Sequence, residues 1–257
     1  MNLNLKDRNF IVCGASDGFG NAVARALLKE KANVIAVARN EEKLKQLKDI
    51  KPEAVDYICG DLTEESTLKE LKQKTPGRLA GMFVNAGGPP PMTFLETEIP
   101  DWDSAYQKVF LWKIRFLKAF LPKMLEQRYG RILFLESISV KQPVENLILS
   151  NSYRLAVVGA VKTISQEVAG KGVTLNLLGP GYHDTNALQR LIDKRADVRN
   201  ISKEESKKSF EEEVPVGRLG NADELASLSL WLLSPVSGYV TGQTIDIDGG
   251  MSRFVFG

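Results

Sequence analysis

Three glycines fall within seven residues in the run Gly14-Ala15-Ser16-Asp17-Gly18-Phe19-Gly20, directly after the apolar segment Asn9 to Cys13 and directly before a helix-period stretch. Glycines between a strand and a helix let the backbone pass close to a diphosphate, while the helix N-terminus offers free N–H groups and a partial positive charge. A purely structural turn would use the same residues. Farther along, Ser137 follows the apolar run Arg131 to Leu135, and a helical stretch carries Ser150, Tyr153 and Arg154. At 100° per residue, Ser150 and Arg154 lie within about 40° of each other, and Tyr153 is turned about 60° the other way. A hydroxyl and a guanidinium therefore share one helix face.

The end of the second apolar run bears on which dinucleotide the glycine turn would take. An acid there binds a ribose 2′-hydroxyl and repels a 2′-phosphate, but this chain has Ala38-Arg39-Asn40. The guanidinium of Arg39 can hold a phosphate through charge-assisted bonds, so NADP(H) is favoured over NAD(H). A solvated surface arginine is the plainer reading of the same residue.

The elements that must position these groups follow from periodicity. Short apolar runs at Asn9–Cys13, Asn33–Ala38, Ala54–Cys59, Leu79–Asn85, Arg131–Leu135, Val173–Leu178 and Gln243–Ile247 read as strands. Amphipathic stretches lie between them, among them Phe19–Glu30, Glu41–Lys48, Trp102–Met124, Leu147–Val168 and Ala222–Leu233. Alternating strands and helices predict a single-domain, Rossmann-type, doubly wound α/β fold over residues 1–257, with a parallel seven-stranded sheet and helices on both faces. A charged excursion at about 182–214 interrupts the alternation and reads as a solvated helical segment or lid over the site.

Composition narrows the partners. A net charge of +2 gives no reason to expect nucleic acid, and no stretch approaches the length of a membrane span. The two cysteines, Cys13 and Cys59, end apolar runs and read as reduced packing thiols in a cytoplasmic protein.

The spacing Gly14-x-x-x-Gly18-x-Gly20 resembles that of the classical short-chain dehydrogenase/reductase family. So do Asn85-Ala86-Gly87, Pro180-Gly181 with Thr185, Gly217-Arg218 with Gly220, Tyr239-Val240-Thr241-Gly242-Gln243 and Asp248-Gly249-Gly250, in order over nearly the whole chain. The chain is similar to 3-oxoacyl-[acyl-carrier-protein] reductase-like members. The resemblance implies a hydride transfer between nicotinamide and a small-molecule carbonyl or alcohol. It implies that Gly14, Ser16, Asp17, Gly18, Phe19, Gly20, Arg39, Asp61, Leu62, Asn85, Ala86, Gly87, Arg154, Pro180, Gly181 and Thr185 line the cofactor site. Asp61 could equally start a helix, Asn85 could cap a strand, and Asp17 stands where many NADP(H)-using members carry a base.

The reacting centre departs from the family. Ser137 matches its serine, but Ser150 stands thirteen residues on where the family has tyrosine, Arg154 where it has lysine, and Val109 where it has asparagine. A serine hydroxyl is shorter than a phenol and does not titrate near neutrality. Tyr153, Tyr182 and His183, the one histidine, are the substitute acids to consider; a lone loop histidine is more often a solvent-facing residue. A catalytically attenuated dinucleotide-binding or regulatory protein is the alternative. The tail Met251 to Gly257 follows the position where family tails pack between subunits, which predicts a homotetramer or homodimer. The loop Gly87 to Met92, beside Phe94 and Leu95, hints at an apolar substrate, and a simple turn explains it as well.

Overall fold

The structure is a computed structural model and describes residues 1–75 and 77–255. Its strands are β1 Asn9–Cys13, β2 Asn33–Ala38, β3 Val55–Cys59, β4 Gly81–Val84, β5 Gly130–Leu135, β6 Val173–Pro180 and β7 Thr244–Ile247. They form one sheet in the order β3-β2-β1-β4-β5-β6-β7, and every neighbouring pair is parallel. The expected doubly wound architecture is thus present. Strand order reverses between β1 and β4, which opens a crevice at the carboxyl ends of those strands.

The central strands β1, β2 and β4 are mainly apolar because both faces are covered, whereas the edge strands β3 and β7 carry Asp56 and Asp246. Side chains alternate across the sheet: Phe10 and Val12 enter one core with Leu27, Ala36 and Leu230. Ile11 and Cys13 enter the other with Val37, Phe116 and Val157. The first core is roofed by α1 (Gly18–Lys29) and α9 (Ala222–Leu233), the second by α5 (Trp112–Glu126) and α6 (Ile148–Val168). Truncating a residue such as Leu27 to alanine would cost about 2–5 kcal/mol through lost burial and the cavity left behind.

The remaining helices are α2 Glu41–Ile50, α3 Glu65–Lys74, α4 Ile99–Ala105, α7 Asn186–Arg199 and α8 Lys203–Glu212. Two expectations change in detail. The single helix read over Trp102–Met124 is divided: α4 ends at Ala105, Tyr106–Leu111 is π-helical, and α5 follows. The wider turn lets Val109, Trp112 and Lys113 all face inward. The charged excursion folds as α7 and α8, and it is more than a solvated segment: Leu188, Ile192, Phe210 and Leu219 form a small core of their own. In the C-terminal tail, Phe256 and Gly257 lie outside the described residues.

Candidate active site

The glycine turn sits at the β1 end of the crevice. Gly14 (φ +66°) and Gly18 (φ +51°) occupy the left-handed region, where a side chain would be strained. A Cβ on Gly20 would stand 2.2 Å from the Gly14 carbonyl oxygen, and one on Gly14 would stand 2.7 Å from Asn85 Nδ2. The turn is hooked to the neighbouring strand by the Gly14 N–H donating to Val37 O at 2.8 Å. Because α1 begins here, the Phe19 and Gly20 N–H groups of its first turn have no backbone acceptor among the described residues, while Asp17 takes the Gly18 and Asn21 N–H groups. These amides and the close glycine packing fit a diphosphate.

Asp17 caps α1 by accepting the Gly18 N–H at 2.8 Å. Its other oxygen takes Lys43 Nζ at 2.5 Å and Asn186 Nδ2 at 2.7 Å. Lys43 holds the Asp17 carboxyl below its ordinary value, so the acid that stood against a phosphorylated cofactor is already neutralised. The same carboxylate ties the turn to the first residue of α7. Thr185 caps α7, accepting the Leu188 N–H.

Arg39 is exposed at the end of β2, with no hydrogen bond or ion pair to its guanidinium among the described residues. Asp61 Oδ1 accepts from the Thr63 N–H and hydroxyl at 2.8 and 2.7 Å, which lowers its pKa. It therefore builds a turn before α3 rather than capping the helix, and its second oxygen stays free of protein donors. Leu62 and Ala86 pack against the second core, whereas Gly87 is exposed. Gly181 lies against Asp248, where a Cβ would stand 2.8 Å from the Asp248 Cα. The buried thiol of Cys13 is pushed up to about 12, as befits a packing residue, whereas Cys59, expected to pack likewise, is exposed at the end of the edge strand β3.

At the reacting centre, Arg154 Nε donates to Ser150 Oγ at 2.9 Å, so the hydroxyl and guanidinium do share a face of α6. Arg154 Nη1 reaches the Glu136 carboxylate and carbonyl at 3.0 and 3.1 Å, which fastens α6 beside Ser137 at the end of β5. Nη2 has no hydrogen-bond partner among the described residues and lies next to Gly88, where a Cβ would stand 3.2 Å away. Ser137 Oγ accepts the Ser139 N–H at 3.1 Å, which leaves its own hydrogen available.

Glu136 and Lys113 are functional candidates that the sequence reading missed. Glu136 Oε1 accepts from Lys113 Nζ at 2.5 Å, with side chains 0% and 3% exposed. Burial brings the Lys113 ammonium down to about 8, with Glu136 opposing and Arg154 adding to the shift. The signal was present as a carboxylate ending the apolar run Ile132–Leu135 and a lysine inside the apolar run Trp112–Leu117. Val109, at the asparagine position, is buried and polar-inert, and Lys113 supplies the buried cation one turn farther along.

The substitute acids have other partners. Tyr153 packs against Trp102 and Tyr106, each ring centroid 6.0 Å away, and burial and Asp103 raise its phenol. Tyr182 packs on Phe210, and burial and Glu213 push it up to about 12. His183 is buried, not solvent-facing; its Nδ1 lies 3.2 Å from the Gly181 carbonyl and its ring stands edge-on to Phe19. No hydrogen bond joins any of the three to Ser137, Ser150 or Arg154 among the described residues.

A family model described as Enoyl-(Acyl carrier protein) reductase matches residues 14–252. The NADPH-dependent reductase BacG of Bacillus subtilis (strain 168) is 29% identical over 98% of this chain and 100% of its own length. Dehydrogenase/reductase SDR family member 6 of Rattus norvegicus is 32% identical over 96% of this chain and 98% of its own. Among solved structures, an NADPH-bound short chain oxidoreductase from Pseudomonas aeruginosa PAO1, described as containing an atypical catalytic center, is 28% identical. It superposes with a TM-score of 0.86 over 97% of this chain and 100% of that one. With the glycine turn, the sheet order and these matches in agreement, the chain belongs to the short-chain dehydrogenase/reductase family.

Proposed function

We propose that the protein is an NADP(H)-dependent oxidoreductase that moves a hydride between nicotinamide and a small-molecule carbonyl or alcohol, using a serine and arginine centre. The observation that carries this reading is the glycine turn at the β1/β4 crevice, where Gly14 and Gly18 adopt the left-handed region and the N-terminus of α1 opens directly after them. Gly14, Ser16, Asp17, Gly18, Phe19 and Gly20 would hold the diphosphate and Arg39 the 2′-phosphate. Asp61 and Leu62 would border the adenine, with Asn85, Ala86 and Gly87 along the cleft. Arg154, Pro180, Gly181 and Thr185 would border the nicotinamide half. The names of the Bacillus and Pseudomonas relatives, both of which specify NADPH, support the choice of coenzyme.

The coenzyme, when bound, supplies the hydride. Ser137 and Ser150 direct their hydroxyl hydrogens toward the substrate carbonyl oxygen, and the Arg154 charge behind Ser150 strengthens that donation. As the carbonyl carbon gains the hydride, its oxygen becomes an alkoxide, which these donors stabilise as an oxyanion hole does. Neither serine titrates near neutrality, so the alkoxide takes its proton from water in the cleft. Tyr153 acts here as a wall of the substrate entrance with Trp102, and exposed Phe94 and Leu95 extend an apolar rim.

Titration calorimetry with NADPH and NADH, followed by NADPH oxidation against ketones, sugars and acyl thioesters, tests the reading. NADPH should bind at least tenfold more tightly than NADH, with turnover of at least one carbonyl class. Heat from neither coenzyme would sink the proposal, and tight binding without any turnover would leave a binding protein. We further propose a cytoplasmic homodimer or homotetramer. The unpaired Cys13 and Cys59 support a reducing compartment, and exposed Leu155 and Val255 support assembly. Sedimentation showing monomer alone would reject the assembly.

A further inference from the structure

Behind the two serines lies a charge cluster that carbonyl polarisation alone does not require. Lys113 from α5, Glu136 after β5 and Arg154 from α6 bring two cations to one carboxylate, with side chains only 3%, 0% and 12% exposed. The charged groups that bear on Lys113 are these two partners. At neutral pH the trio carries one net positive charge. An unmatched buried charge is costly, and a purely structural pair would be balanced or replaced by apolar residues. The cost is offset if the excess acts on something that enters the cleft. Arg154 offers the route, because its Nη2 is unpartnered beside Gly88 while Nη1 is fixed on Glu136.

We propose that Lys113 is a positioning residue that sets the charge of the reacting centre: held on Glu136 behind Arg154, it makes the site favour neutral reduced nicotinamide over the cationic oxidised ring. The inference rests on the NADP(H) reading above. Lys113, brought down to about 8 by burial, loses its proton in mildly alkaline solution. Below that pH the centre carries the extra charge, which disfavours NADP+; above it, Glu136 and Arg154 remain as a neutral pair.

The test needs no substrate. Dissociation constants for NADP+ and NADPH are measured by calorimetry from pH 7 to 9.5 and expressed as the ratio of oxidised to reduced. The 2′-phosphate is common to both forms, so its titration cancels. In the wild type the ratio should fall about fivefold as pH rises through 8, the order expected for one partly screened charge acting on another across several ångströms. Lys113→Arg should hold the ratio at its low-pH value throughout, and Lys113→Met at its high-pH value; a merely structural lysine would produce neither pattern. Should Lys113→Met fail to fold, the wild type and Lys113→Arg decide. A wild-type ratio that does not change with pH, or a change that persists in Lys113→Arg, overturns the proposal. Binding of neither coenzyme overturns the cofactor reading and this proposal with it, an outcome distinct from binding with a flat ratio.

Discussion

Arg154 Nε donates to Ser150 Oγ at 2.9 Å across one turn of α6, and because the serine oxygen is the acceptor, its own hydrogen is left for a group in the cleft. The guanidinium cannot lose a proton, so the pair donates a hydrogen bond without passing a proton along. Ser150→Ala should therefore lower single-turnover NADPH oxidation by about 10²-fold, the usual loss for one oxyanion donor. NADPH affinity should stay within twofold. An unchanged rate with the best carbonyl substrate would remove Ser150 from the chemistry.

Glu136 is a carboxylate held between the buried Lys113 ammonium and the partly buried Arg154 guanidinium. Glu136→Gln keeps the shape and removes the charge, leaving Lys113 and Arg154 to face each other in a dry site. Breaking a buried pair in this way costs about 3–5 kcal/mol, which in a chain of this size lowers Tm on the order of 10 °C. Thermal melts followed by circular dichroism measure it, and a shift under 2 °C would mean that water reaches the cluster. Below pH 8 the loss should be largest, because Lys113 is then charged.

The strands were legible because both sheet faces are buried: four to five consecutive apolar residues leave little ambiguity, and β1 and β2 coincide with the runs Asn9–Cys13 and Asn33–Ala38. The glycine turn was legible because its spacing is a steric requirement. The pairing of Ser150 with Arg154 followed from helical angle alone. Lys113 and Glu136 were not legible, because their partnership joins residues 23 positions apart on a helix and a strand end. Periodicity reports which face a residue lies on, and it cannot say which opposite charge the fold will bring there. The π-helical stretch at Tyr106–Leu111 was hidden for a related reason: one extra residue in a turn leaves the local apolar pattern nearly unchanged. Neutralisation of Asp17 by Lys43 depends on how α2 leans over the turn, a tertiary fact absent from either local sequence.

Arg39 makes no hydrogen bond or ion pair through its guanidinium among the described residues, although its charge reaches Asp61, while Asp17 and Lys43 already satisfy each other. Arg39 is thus a cation at the β2 end that a phosphate can still engage. Arg39→Ala should weaken NADPH binding by at least tenfold, since charge-assisted bonds contribute about 1.5–3 kcal/mol each before solvent screening reduces them. NADH binding should change less than twofold. Calorimetric titration of both coenzymes gives the answer, and an equal loss for the two would assign Arg39 to the fold. Lys43→Met should weaken NADPH several-fold by a different route, because it leaves the Asp17 carboxylate unpaired near the phosphates.

His183 is the residue whose chemistry looked attractive and whose position argues for stability. Its ring is wedged between Phe19, 5.1 Å away by centroid, and Gly220, where a Cβ would meet the ring at 2.6 Å. Burial pushes the imidazole below its ordinary value, with the Gly181 carbonyl opposing in part. The folded chain thus resists a proton that the unfolded chain accepts, so stability falls as pH drops below about 6.5 and levels off once the folded imidazole also protonates. His183→Gln should leave turnover within twofold at pH 7. It should also shrink the loss of Tm between pH 7.5 and pH 5, since the glutamine binds no proton in either state. A tenfold fall in turnover without a change in NADPH affinity would instead place the imidazole in the chemistry, although no hydrogen bond joins it to Ser137, Ser150 or Arg154 among the described residues.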